Sequence, residues 1–265
     1  MATSKTISCR NCSAEIPEPE FLDAHKVCPK CDFHHYMSAY EQLKLLVDDD
    51  SFEAYDNGLY SLNPLDFPDY EAKLKQDFAK TGLKSEMLAG IAKIGGYPTA
   101  IAIGDVGVRG GTVGSVIGEK LTRCIERATE RGLPLVTVSV SGGMRMQEGT
   151  LALMQMAKMA AACVKHSQAG FFFVSVMTDP TFGGTTASFA SLAHVIIAEP
   201  GARIGFAGPL AIASIRQKLP DNFQKAEFLL EHGLIDTIIH RHEMRSFLID
   251  LLDFCSDGLP LSGTS

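Results

Sequence analysis

From Glu86 onward the chain alternates short apolar runs with longer amphipathic ones, and this alternation limits the fold more than any other feature of the sequence. GYPTAIAIGDV (96–106), LPLVTVSVSGG (133–143), GFFFVSVMTD (170–179) and HVIIAEPGARIGFA (194–207) are apolar, β-branched or aromatic and are closed by Gly, Pro or Asp, as strands are. Between them, VIGEKLTRCIERATERG sets Ile117, Leu121, Ile125 and Ala128 on one helical face, and LALMQMAKMAAACVKH sets Leu153, Met156, Ala160 and Val164 on another. Strand, helix and strand in repetition predict an α/β core with right-handed crossovers. HEMRSFLIDLLDF adds an amphipathic helix with Met244, Phe247, Leu248, Leu251 and Leu252 on one side. At 265 residues and 46% hydrophobic, the chain can bury one large core and a small satellite unit.

The satellite stands at the N-terminus. CRNC (Cys9, Cys12) and CPKC (Cys28, Cys31) repeat Cys-x2-Cys, the spacing of two knuckles that close a tetrahedral thiolate site. Four thiolates suit one structural Zn2+ with no open position for substrate. A ribbon this small buries too little apolar surface to fold alone, so the metal would supply much of its folding free energy. Its acidic side chains outnumber its basic ones, which favours docking on protein over binding nucleic acid. Cys124, Cys163 and Cys255 lie in apolar helical contexts and read as core fillers. Between ribbon and core, Ser38 is a candidate N-cap of one helix and Gly82 the terminator of a second. The expected organisation is a zinc ribbon over 1–37, a helical connector over 38–85, the catalytic domain over 86–255 and a tail over 256–265.

Two Gly-Gly pairs close strands and precede helices: Gly142 and Gly143 in SVSGGMRMQEG, and Gly183 and Gly184 in TDPTFGGTTASFA. A helix N-terminus leaves backbone N–H groups unpaired, and glycine lets a ligand reach them. Facing one another, two such turns would offer oxyanion sites, which is sufficient for enolate chemistry on a thioester. Taken singly, each pair also reads as an ordinary tight turn. RGGTVGSVIGEK, with Gly110 and Gly111, meets neither the phosphate-loop nor the dinucleotide pattern, so it reads as a coenzyme wall or a close helix contact. Arg145 either orders the loop or meets a phosphate, and Glu148 is accounted for by the helix dipole. Ser141 does not stand in the Gly-x-Ser-x-Gly elbow of hydrolases. His166 and His194 read as surface or packing residues.

Beyond these local readings, the CRNC and CPKC pairs, NPLDFPDY, GGTVGSVIGEK, SGGMRMQEGTLALMQMAKMAAA, TDPTFGGTTASFASL, IIAEPGARIGFAGP and LPDNFQKAEFLLEHGLID together resemble the β subunit of the carboxyltransferase component of multi-subunit acetyl-CoA carboxylase. The resemblance runs from the ribbon to His240 in the family's order. It implies a crotonase-type (ClpP/crotonase-like) spiral of ββα units. It also implies a reaction in which carboxybiotin on a carrier protein yields carbon dioxide, the biotin removes the α-proton of acetyl-CoA, and the enolate captures carbon dioxide to give malonyl-CoA for fatty acid biosynthesis. By analogy Gly142, Gly143, Gly183 and Gly184 supply backbone donors, while Gly110, Gly111 and Arg145 contact the cofactor or coenzyme. The implied partners are an α subunit, in an α2β2 assembly, and the biotin carboxyl carrier protein. The chain departs from the family's usual residues at Met144 (Ala), Leu210 (Arg), Thr185–Thr186 (Val-Ser) and His194 (Asp). These departures leave two further readings: a paralogue serving a secondary-metabolite pathway or tolerating an inhibitor, and a crotonase-type malonyl-CoA decarboxylase.

The net charge of -7 argues against nucleic acid as a main partner. MATSKTISCRNC lacks the apolar segment of a signal peptide and no run is long enough to span a bilayer, so a bacterial cytoplasmic location is expected.

Overall fold

A computed structural model describes residues 5–208, 214 and 219–256; Leu210 and the tail beyond Ser256 lie outside the described residues. The ribbon comprises an antiparallel pair, β1 (Thr6–Ser8) and β2 (Glu15–Pro17), and a short helix α1 (Glu18–Asp23). Cys9, Ile16, Phe21 and Cys28 make its small core, against which Ile7 and Phe33 pack.

The 38–85 segment is woven into the body and does not stand apart as a connector. Helix α2 (Ala39–Leu46) begins at Ser38, whose hydroxyl accepts the Glu41 N–H while the Glu41 carboxylate accepts the Ser38 N–H, a complete capping box. Strand β3 (Glu53–Ala54) joins the main sheet, and α3 (Tyr70–Thr81) ends at Gly82 in the left-handed conformation. Ala39, Leu46, Tyr70 and Leu74 are buried with the body's own Ile94, Ile101 and Val136.

The sheet continues through β4 (Met87–Ile94), β5 (Tyr97–Gly104), β6 (Leu135–Ser141), β7 (Phe173–Phe182), β8 (Val195–Ala198), β9 (Ile204–Gly205) and β10 (Thr237–Ile238). Its order is β10-β8-β7-β6-β5-β4-β3, with β9 paired to β7. Strands β5, β6, β7, β8 and β10 are parallel, and β3, β4 and β5 antiparallel. The β4–β5 hairpin turns on Gly95 (φ 60°) and Gly96 (φ 88°), a backbone only glycine adopts freely, and both N–H groups donate to the Asp48 carboxylate at 2.8 and 2.7 Å.

Helices α4 (Ser115–Arg131) and α5 (Gly149–Gln168) cross between parallel strands and cover one face of the sheet. Helix α7 (Arg241–Ser256), preceded by α6 (Ala226–Glu231), covers the other through Met244, Leu248 and Leu252. Ile117, Leu121, Ile125 and Ala128 of α4 are buried as expected. In α5 the expected stripe is the wrong face. Leu153 and Val164 point to solvent, and Ala152, Gln155, Met159, Ala162, Cys163 and His166 face the core. The helix is apolar on nearly every side, so periodicity alone could not orient it. Cys124 and Cys163 are buried fillers. No helix among the described residues is long and apolar enough to cross a membrane.

The ribbon docks on the body through Arg241 at the start of α7. Its guanidinium forms a fork with Glu199 (Nε to Oε1 2.7 Å, Nη2 to Oε2 2.6 Å) and donates through Nη1 to the ribbon carbonyls of His25 and His35, each at 2.9 Å. Burial alone would raise the Glu199 carboxyl, but His34 and Arg241 bring it down to about 2. Tyr36 adds a hydrogen bond to Asp105, and the Ala39 N–H donates to the same carboxylate.

Candidate active site

The parallel strands β6 and β7 are neighbours, so the turns that leave their C-terminal ends lie side by side, where open α/β sheets place their sites. Gly143 (φ 110°) and Gly183 (φ 64°) meet there almost backbone to backbone. A Cβ on Gly183 would lie 3.0 Å from the Gly143 Cα. The turns are also tied by hydroxyls: Thr185 Oγ1 donates to Ser141 Oγ at 2.8 Å, and Ser141 Oγ accepts the Gly143 N–H at 3.0 Å. Ser141 is thus a buried strut and presents no free nucleophile.

The glycines' own donors are mostly committed elsewhere, which corrects the expectation that all four are free. The Gly142 N–H donates to the Gly110 carbonyl and the Gly183 N–H to the Gly205 carbonyl, each at 2.9 Å, and Gly143 donates to Ser141. Among the described residues no acceptor meets the N–H of Met144 or of Gly184. The next residue in each turn therefore carries the available donor, and the glycines allow the close approach. Met144 is partly buried. Its Sδ and Cγ fold back against Gly184, beside the Met156 Sδ, and its side chain packs on the core.

Gly110 and Gly111 form the wall behind Gly142. A Cβ on Gly111 would collide with the Val140 carbonyl, and Gly110 supplies the carbonyl that holds the Gly142 N–H, so both brace the turn. Arg145 is likewise turned inward, against the expectation of a phosphate contact. Its side chain is wholly enclosed: Nε donates to Thr112 Oγ1 at 3.2 Å, Nη1 to Tyr70 Oη at 2.9 Å and to Glu86, and Nη2 to the Thr112 carbonyl. The alternative expectation, that it orders the loop, fits this placement. Burial pushes the Glu86 carboxyl up despite Arg145 beside it. For Glu148 burial is outweighed by donors from Tyr70 Oη at 2.6 Å, the Ser115 N–H and Ser61 Oγ at 2.9 Å, and its carboxyl is lowered. Glu148 thereby anchors the N-terminus of α4 to the turn after β6, a role the helix dipole did not suggest. His166 is buried and bonded to Thr129, and His194 lies at the surface, bonded to Ser167 and the Phe173 N–H.

In the ribbon the four sulfurs of Cys9, Cys12, Cys28 and Cys31 lie within 4.8 Å of one another. Cys9 and Cys31 are 3.7 Å apart and Cys12 and Cys28 3.8 Å. A tetrahedral ion with metal–sulfur bonds of about 2.3 Å separates its ligands by about 3.8 Å, so the sulfurs fit a metal site with four cysteine ligands. Asn11 donates to two of the sulfurs, from its N–H to Cys9 and from Nδ2 to Cys31, each at 3.4 Å. The Asn11 amide lowers the Cys31 thiol towards the thiolate a metal needs, while the neighbouring thiols raise that of Cys12.

The carboxyl transferase domain family matches residues 38–219. The acetyl-coenzyme A carboxylase carboxyl transferase subunit beta of Desulforamulus reducens is 49% identical over 247 residues, which are 93% of this chain and 86% of that protein. Among solved structures, transcarboxylase 12S with hydrolysed methylmalonyl-coenzyme A bound superposes with a TM-score of 0.72 at 27% identity, over 82% of this chain and 41% of that one. A Pseudomonas malonate decarboxylase hetero-dimer shares the fold, with a TM-score of 0.62 at 23% identity over 85% of this chain and 88% of that one. Crotonase-like topology, the glycine turns at the ends of β6 and β7 and these likenesses agree: the chain belongs to the carboxyl transferase family, among the β subunits of acetyl-coenzyme A carboxylase.

Proposed function

We infer that this chain is the half of a biotin-dependent carboxyltransferase that carries a carboxyl group to acetyl-CoA, giving malonyl-CoA. The observation that carries this reading is the apposition of two glycine turns on adjacent parallel strands, with unpaired N–H groups at Met144 and Gly184. Such donors stabilise the charge that develops on a thioester oxygen when the α-proton leaves, and one lost donor costs on the order of 100-fold in rate. Biotin, bound on a carrier protein, supplies the carboxyl group and the proton acceptor. The chain's part is positional. Ser141 and Thr185 fix the distance between the turns, Arg145 and Glu148 lock the loop after β6, and Gly142 and Gly143 leave room for the acyl group.

Cys9, Cys12, Cys28 and Cys31 hold one structural zinc in this reading. A homologous α subunit completes the site. Met146, Leu153 and Met154 are 72%, 54% and 58% exposed on α5 and the turn before it, apolar side chains that suit such a partner. This reading takes the chain to act in the cytoplasm.

The test is malonyl-CoA decarboxylation with added free biotin, comparing this chain, the α subunit and their mixture. Activity confined to the mixture with biotin is the expected result; activity of this chain alone would replace the reading with a self-sufficient decarboxylase.

A further inference from the structure

Apart from the cysteines, one other group of metal-ligating side chains converges among the described residues. Asp32, His34 and His240 offer ligand atoms that all lie within 4.8 Å of one another. Asp32 and His34 belong to the ribbon, while His240 stands just before α7 of the body, so the cluster spans the seam that Arg241 closes. We propose that these residues form a second divalent-metal site, suited to Zn2+, that pins the ribbon to the body.

His34 carries the argument. It is 6% exposed, yet its Nε2 has no hydrogen-bond partner. A buried imidazole left unpaired is costly, and one that faces a second imidazole and a carboxylate is placed to ligate. Its Nδ1 lies 3.6 Å from Glu199 Oε2, on the side of the fork with Arg241. A carboxylate behind Nδ1 fixes the tautomer that leaves the Nε2 lone pair free, the arrangement that orients histidine ligands. His240 meets His34 edge to face with ring centres 4.5 Å apart, and its Nε2 donates to Asp32 Oδ1 at 3.1 Å. An ion would replace the proton between those two atoms. The proton then resides on His240 Nδ1, where the long bond from the His242 N–H, 3.3 Å, gives way.

Two imidazoles and one carboxylate suit Zn2+ better than the hard, oxygen-seeking cations. With the Asp32 side chain 71% exposed, the fourth position opens to water and the ion has a path in. The site is separate from the four-cysteine cluster in ligand type, and it joins residues 208 apart in the chain.

The experiment uses the full chain already holding one zinc, titrated with Zn2+ by calorimetry and with Co2+ by absorption. The expected result is a second equivalent whose Co2+ form shows d–d bands without sulfur-to-metal charge transfer. His240→Gln and Asp32→Asn, both at partly or largely exposed side chains, each weaken it at least about tenfold while the first zinc stays bound. The second equivalent also slows proteolysis of the ribbon in the parent chain and not in the variants. Absence of a second equivalent overturns the site, and so does a second equivalent that survives both substitutions.

Discussion

Gly183 holds a left-handed backbone, and a Cβ there would press to 3.0 Å from the Gly143 Cα, so two penalties coincide there. Gly183→Ala is expected to lower stability by about 1–2 kcal/mol from the backbone alone and to push the turns apart. Urea unfolding reads the first effect. A drop of at least about tenfold in biotin-dependent malonyl-CoA decarboxylation by the α-plus-β mixture reads the second. Lys120 gives a pH prediction. It is 1% exposed, its Nζ donates to the Met87 carbonyl at 2.9 Å, and burial lowers its pKa to about 8. The folded state therefore holds that proton less tightly than the unfolded chain, whose lysine titrates near 10.4, about the ordinary value. Stability is expected to rise by up to about 3 kcal/mol as pH climbs from 8 through that value, and Lys120→Met should flatten the rise. Denaturation midpoints of the two proteins across that window decide it. At this scale the sequence was half legible. The glycine pairs marked the two turns that meet, but which of their N–H groups stay free depends on the carbonyls of Gly110 and Gly205, which come from other loops. The Arg145 cluster was hidden for the same reason, because Tyr70, Glu86 and Glu148 come from separate segments.

At the scale of elements, strands with β-branched runs and helices with a clear apolar stripe were readable, α4 above all. Strand β4, MLAGIAKI, passed unrecognised because its small residues mute the pattern, although the Gly-Gly after it is a two-residue hairpin signal. HVIIAEPGARIGFA read as one strand and is two, β8 and β9, interrupted at Pro200 and Gly201. Helix α5 was misoriented: its Leu153 and Met154 face outward. The inward fold of Met144 yields a prediction for the turn before α5. Met144→Ala removes a side chain packed on Gly184 and the core, so it should cost about 1–3 kcal/mol in thermal or urea unfolding while decarboxylation by the mixed subunits stays within about threefold. A large gain in activity would mean that the thioether blocks the site.

For the whole molecule the seam between ribbon and body is the informative joint. Arg241→Ala would leave Glu199 buried without its fork and two ribbon carbonyls without their donor, a loss expected at about 3–5 kcal/mol. Hydrogen exchange should then show the ribbon amides exposed while β5, β6 and β7 keep their protection. The sign with pH follows from the depressed Glu199 carboxyl: its contribution is full above the ordinary carboxylate range and is lost as pH falls towards about 2. The same fork sets an order of events during synthesis. The carbonyl of His25 is made 216 residues before the arginine that grips it. At about 5–20 residues per second the ribbon waits roughly 10–40 s, outside the ribosome and without its dock. A metal taken up in that interval would be taken up by the four cysteines alone, before the body that grips the ribbon exists.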